Sequence, residues 1–266
     1  RVISGCQNPG TKLVSWIHVE QHTMDKLAGS FRSKKEARAC YSKFDQTVCV
    51  SQYVHDDFCQ LLDFRKPCRV LYNTVESDKI LAGANEAAPE LADDGKIRLI
   101  AVGTLKQSKG YMRLLKIIRC LRDEQYPVHL YILGIGPLQQ EMEEYIRQNK
   151  LQDTVTLLGY QTNPYKYVSK CDLFVCASFA EGFSTAATEA LIVGIPVCTV
   201  EVSGMKEMLG EDNEWGVVVE NSEKTLYQGI KNLLGEAEML AYYKGKAAER
   251  GKMFSTQNTV RAAEKM

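Results

Sequence analysis

No apolar run in this 266-residue chain approaches the about 20 residues that a membrane-crossing helix needs; the longest, such as "LIAVG" and "LFVCA", are strand-sized. No C-x-x-C spacing occurs among the cysteines, which are odd in number and scattered (Cys6, Cys40, Cys49, Cys59, Cys68, Cys120, Cys171, Cys176, Cys198). A disulfide or zinc framework is therefore not expected, and the cysteines read as small buried hydrophobes in a reducing compartment, the cytoplasm. Neither sign of charge is in excess: 33 Lys+Arg balance 33 Asp+Glu, so no global field recruits nucleic acid. Internal repeats and low-complexity tracts are missing. The opening "RVISGCQNPG" has no signal-peptide character and begins at Arg1, as a chain lacking its start would.

What is present is 45% hydrophobic sequence, enough for one large or two modest cores. From about residue 96, short apolar runs alternate with longer helical ones, the pattern of a parallel sheet with helices on both faces. Strands are expected at 97–103, 128–134, 154–159, 172–178, 195–200 and 215–220. Amphipathic helices are expected at 111–124, with Met112, Leu115, Ile118 and Leu121 on one face, and at 138–150, with Leu138, Met142, Tyr145 and Ile146. Residues 11–75 repeat the alternation on a smaller scale: strands at 12–18, 46–50 and 68–73, helices at 25–44 and 52–62. The fold class is thus α/β, with a Rossmann-like unit at 97–266, part of a second at 1–75, and an Ala/Asp/Glu-rich linker with some helix at 76–96.

In open parallel sheets, ligands bind beyond the carboxyl ends of the strands. That rule selects the loops "GTLKQSKG", "GIGP", "GYQTNP" and "FAEGFS". The last leads into the helix "TAATEALIV", with Ser184 or Thr185 as N-cap, and the amides of Gly182, Phe183, Ser184 and Thr185 would converge with the helix dipole on an anion such as phosphate. Gly182 would let the ligand approach the backbone. Glu189, about one turn into the helix, can accept two hydrogen bonds from a vicinal diol such as a ribose, and Glu181 could hold sugar hydroxyls on the other side. Acidic residues also favour helix N-termini for dipole reasons alone, which suits Glu181 better than Glu189 in its apolar setting. Lys109 precedes the helix at 111, where the dipole disfavours a cation unless an anion is present; a solvated surface lysine is the alternative. His18 ends a strand at a carboxyl edge, where it is either structural or catalytic; His22, His55 and His129 offer nothing better. "GIG" lacks the third glycine of a dinucleotide fingerprint.

Together these loops resemble glycosyltransferase family four of the GT-B fold, retaining enzymes that use nucleotide-activated sugars. Glu181 and Glu189 in "EGFSTAATEALIVGIPV" meet the family's E-x7-E motif, and "AVGTLKQSKGYMRLL" looks like its G-R-L-x3-K-G segment. "VSGMKEML" and "GVVVE" follow in the same order, while "WIH", "VCVSQYV" and "VLYNTVE" look like the end of the acceptor domain. The resemblance implies that Glu189 holds the ribose, Lys109 the diphosphate, Glu181 the transferred sugar, and the amides of Gly182 to Thr185 the sugar and phosphates. Gly103, Thr104, Gly134, Gly159, Tyr160 and Gln161 would border the nucleotide, and His18 would lie near the transferred sugar. It implies no metal and no cofactor beyond the nucleotide-sugar substrate, expected to be UDP-linked, and a saccharide or lipid-linked saccharide as acceptor. Peripheral contact with the inner face of the membrane would come through the acceptor domain.

Two departures stand out. Thr104 occupies the place of the family's phosphate-binding arginine, and the first part of the acceptor domain is missing, so the fragment is expected to bind nucleotide, to turn over donor poorly and to self-associate. A sugar-nucleotide epimerase of similar fold and a non-catalytic nucleotide-binding module compete with this reading; a nicotinamide oxidoreductase rests on "GIG" alone.

Overall fold

Strands buried on both faces of a parallel sheet carry near-continuous apolar sequence, and each run of that kind folds here as a strand followed by a helix. The computed structural model describes residues 3–6, 8, 10–19, 30–92 and 94–265. In chain order the elements are β1 (Val14–Ile17), α1 (Lys34–Tyr41), β2 (Gln46–Cys49), α2 (Gln52–Leu62), β3 (Cys68–Val70), α3 (Ser77–Ala84), β4 (Ile97–Val102), α4 (Tyr111–Asp123), β5 (Val128–Leu133) and α5 (Gln139–Gln148). They continue with β6 (Val155–Gly159), α6 (Tyr165–Val168), β7 (Leu173–Cys176), α7 (Thr185–Ile192), β8 (Val197–Val200), α8 (Met205–Leu209), β9 (Val217–Val219), α9 (Glu223–Gly235), α10 (Ala237–Gly251) and α11 (Thr256–Glu264).

The strands form two all-parallel sheets. The smaller has the order β1-β2-β3; the larger, β6-β5-β4-β7-β8-β9, has the doubly wound arrangement in which the direction of progression reverses between β4 and β7. All nine expected strands are found, shorter than expected by one to three residues each at their ends. The helix expected at 25–44 appears as α1, capped by the Ser33 side chain on the Glu36 amide; residues 25–29 lie outside the described residues. The apolar face of α4 is wider than expected, because Leu114 and Ile117 are buried beside Leu115, Ile118 and Leu121.

One core cluster lies on one face of the large sheet, from Leu99 and Leu114 to Ile230. The other covers the opposite face and continues without a break into the small sheet, joining Phe174, Met205 and Phe254 to Val54 and Phe58 of α2. The stretch expected to be a linker is pinned by α3, whose Ile80 is buried and whose Gly83 carbonyl accepts from Asn163 at 3.0 Å. The chain then returns: Thr256 and Ser77 exchange hydrogen bonds of 2.8 and 3.0 Å, and Arg69 donates to the Lys265 carbonyl at 3.0 Å. Among the described residues, no helix is long and apolar enough to cross a membrane.

Candidate functional site

The reversal between β4 and β7 opens a crevice at the carboxyl edge of the large sheet, and the loops leaving these two strands carry the expected cation and one expected carboxylate. They are tied together by bonds within the chain. Gly110, the left-handed N-cap of α4, passes so near β7 that a methyl there would lie 1.9 Å from the Ala177 carbonyl oxygen. Arg113 donates to the Ala177 and Ser178 carbonyls at 2.7 and 2.8 Å and to Asn221 at 2.7 Å, while its guanidinium sits 4.2 Å above the Phe179 ring. Burial lowers its pKa, and these carbonyls hold the charge in place. A further bond, from the Phe179 amide to the Ser108 carbonyl at 2.7 Å, completes the seam.

Within this frame Lys109 Nζ lies 2.6 Å from Glu181 Oε1, which also accepts from Ser178 Oγ at 2.6 Å. The glutamate side chain is 10% exposed and the lysine 25%, so the pair works in reduced dielectric. Glu181 is thus an anion that Lys109 faces directly. Ser184 proves to be the N-cap of α7, its hydroxyl accepting from the Ala187 amide at 3.3 Å, and Thr185 is the first, exposed helical residue. Phe183 sends its ring inward, stacked on Tyr72 with centroids 4.9 Å apart and edge-on to Phe254 at 5.9 Å. Glu189, on α7, accepts from the Tyr165 hydroxyl at 3.2 Å. Burial holds its pKa above the ordinary carboxylate value, and that hydrogen bond partly offsets the rise.

Gly103, Thr104, Gly134, Tyr160 and Gln161 come together around a groove of about 280 Å³ on the other side of the crevice. Gly159 does not line it but touches its wall, its carbonyl accepting from the Gly134 amide at 2.7 Å. Thr104 and Tyr160 are exposed to it.

Two of the expected site residues also meet other parts of the chain. At Gly182 the small sheet comes near: a methyl there would lie 2.0 Å from the His18 carbonyl oxygen. His18 thereby meets the motif through its backbone, while its imidazole is stacked on Trp16 at 6.2 Å. The sheets are held by groups that sequence reasoning missed. Glu207 of α8 accepts from the Gln52 amide at the N-terminus of α2 (2.7 Å) and from the Tyr72 hydroxyl (2.9 Å), and Ser203 donates to the Glu181 carbonyl. A second cavity, about 560 Å³, opens at this junction and is lined by Tyr53, Asp56, Glu201, Lys206 and Glu211 among others. Arg113, Ser178, Tyr165 and Glu207 carry no sequence spacing that would mark them; only the tertiary structure brings the first three to the crevice and Glu207 to the junction of the sheets.

The comparisons agree with this architecture. The family model "Glycosyl transferases group 1" matches residues 84–250. The N-acetylgalactosamine-N,N'-diacetylbacillosaminyl-diphospho-undecaprenol 4-alpha-N-acetylgalactosaminyltransferase of Campylobacter jejuni is 35% identical over 202 residues, 75% of this chain and 53% of that protein. The putative colanic acid biosynthesis glycosyltransferase WcaL of Escherichia coli is 29% identical over 150 residues, 53% of this chain and 37% of that protein. The chain therefore spans about half of the first relative and less of the second. Among solved structures, S. aureus TarM in complex with fondaparinux, alpha-GlcNAc-glycerol and UDP superposes with a TM-score of 0.79 at 20% identity, over 98% of this chain and 52% of that one. Anabaena HepE in complex with UDP gives 0.79 at 19% identity, over 96% and 71%. The fold is that of GT-B glycosyltransferases.

Proposed function

Because the chain belongs to the group 1 glycosyl transferases, we propose that it carries the donor site of a retaining, family-four enzyme that takes a sugar from a nucleoside diphosphate, UDP by preference. The observation that carries this reading is the Lys109–Glu181 pair, set at the strand-order reversal beside the Ser184-capped start of α7. As the bond to the sugar breaks, negative charge grows on the diphosphate oxygen; the ammonium and the free amides of α7 are oriented in advance to meet it. Glu181, steadied by Ser178, accepts from sugar hydroxyls once Lys109 is shared with phosphate, and Glu189 takes the ribose diol. The groove around Gly103, Gly134 and Gln161 receives the base. Without the family's arginine, Thr104 leaves the diphosphate to Lys109 and the backbone amides, and the leaving group itself assists attack on its own face.

Residues 97–266 form the donor-binding unit in this reading, 1–75 part of the acceptor unit, and 76–96 the link between them. The acceptor, a saccharide or lipid-linked saccharide, enters through the cavity between the sheets; the undecaprenol-linked substrate in the name of the Campylobacter relative supports that class and a peripheral position at the membrane. The described three-stranded wall is small, so the chain alone binds nucleotide, turns over donor slowly and associates with itself.

Calorimetry tests the donor site. UDP binds the wild-type chain, Glu189→Ala weakens it by about 1–3 kcal/mol, the usual worth of hydrogen bonds to a charged group, and Glu181→Ala spares UDP while abolishing donor hydrolysis. No heat from UDP or GDP at millimolar concentration, or equal losses in the two variants, would overturn the assignment.

A further inference from the structure

Away from the crevice, α2 and the edge strand β3 bring three soft ligand groups together. His55 and Cys59 are four residues apart on α2 and so project from one face of the helix. Cys59 Sγ lies 3.8 Å from His55 Nε2 and 4.0 Å from Sγ of Cys68, the first residue of β3. All three ligand atoms fall within 4.8 Å of one another. A tetrahedral ion bound at about 2.3 Å by sulfur and about 2.0 Å by nitrogen sets ligand–ligand distances of roughly 3.5–3.8 Å, so the cluster closes on an ion through side-chain shifts of about an ångström.

The outer nitrogen of His55 supports the same conclusion. Nδ1 lies 2.7 Å from the Asp56 carboxylate, which also accepts from Gln52 Nε2 at 2.7 Å. A carboxylate on the far nitrogen fixes the tautomer that offers Nε2 to a metal and makes it a better ligand. All three ligand residues are half-buried, which leaves an entry path and an open fourth position.

We propose that His55, Cys59 and Cys68 form a Cys₂His site for a soft divalent cation, zinc by its ligand set, with water as fourth ligand. Binding exchanges two thiol protons for one divalent cation, so the site is neutral when filled. The ion pins β3, a three-residue strand paired among the described residues with β2 alone, to the helix whose first amide meets Glu207 at the junction of the sheets. Its role is to stiffen that wall.

The test is titration of the reduced, metal-stripped chain with Co²⁺. The expected result is one equivalent bound, with the visible ligand-field bands of a tetrahedral site and a near-ultraviolet thiolate-to-cobalt band, both bleached by Zn²⁺. Cys59→Ser and Cys68→Ser should each reduce the thiolate band, whereas Cys120→Ser, at an exposed cysteine, should keep it. Asp56→Asn should weaken binding about 10- to 100-fold without changing the band shape. If a serine variant does not fold, the wild-type chain decides: Zn²⁺ should slow alkylation of Cys59 and Cys68 and leave exposed Cys6 and Cys120 unaffected. Lack of a thiolate band, its persistence in both serine variants, or alkylation rates indifferent to Zn²⁺ would overturn the proposal.

Discussion

Glu189 places a carboxylate among the apolar residues of α7 with the Tyr165 hydroxyl as its hydrogen-bond donor. Desolvation raises its native pKa, so between the unfolded and native values the folded state holds more protons than the unfolded one. Stability at this residue is therefore whole below the unfolded pKa of about 4.5 and is lost as pH rises through the native value. Glu189→Gln, which keeps an acceptor for Tyr165, should raise Tm by about 1–3 °C at pH 7.5 and give no gain below about pH 4. Differential scanning fluorimetry across that range checks it; a gain independent of pH would place the effect elsewhere. Selection for a costly carboxylate makes sense at a site that uses it, and the more stable variant should also be the weaker UDP binder.

At the scale of elements, the contact between the end of β1 and the loop before α7 sets how near the small sheet stands to the crevice. Gly182→Ala puts a methyl 2.0 Å from the His18 carbonyl oxygen, a backbone neighbour that cannot swing away. A loss of about 1–3 kcal/mol is expected, the usual range for overpacking, read by chemical denaturation. UDP affinity should change less than threefold, because the glycine serves the approach of the sheets; a large loss of affinity at preserved stability would restore the ligand as its reason. This distinction was out of reach from sequence. A glycine before a helix reads the same whether a phosphate or another strand comes near, while the Ser184 cap and the apolar strand runs read unambiguously from local chemistry.

For the whole molecule, β1 pairs with β2 alone among the described strands, and Val14 and Trp16 are exposed along it. Among the described residues this is an edge with apolar side chains, and such edges invite a second copy. Sedimentation at rising concentration should show association, and Trp16→Lys should reduce it by putting a charge on the edge. A strictly monomeric wild-type chain at high concentration would remove self-association from the reading.

The sequence by itself determined the α/β class, all nine strands, the E-x7-E pair on the loop and helix after one of them, and the lysine before another helix, because these depend on period, capping and composition within a few residues. Tertiary structure alone decided that Lys109 faces Glu181, that Phe183 turns into the shared core, that Arg113 sews two loops together, and that His55, Cys59 and Cys68 meet. The physical reason is the strand order: β4 lies beside β7, and α2 packs over β3, through long-range pairings that no local pattern encodes.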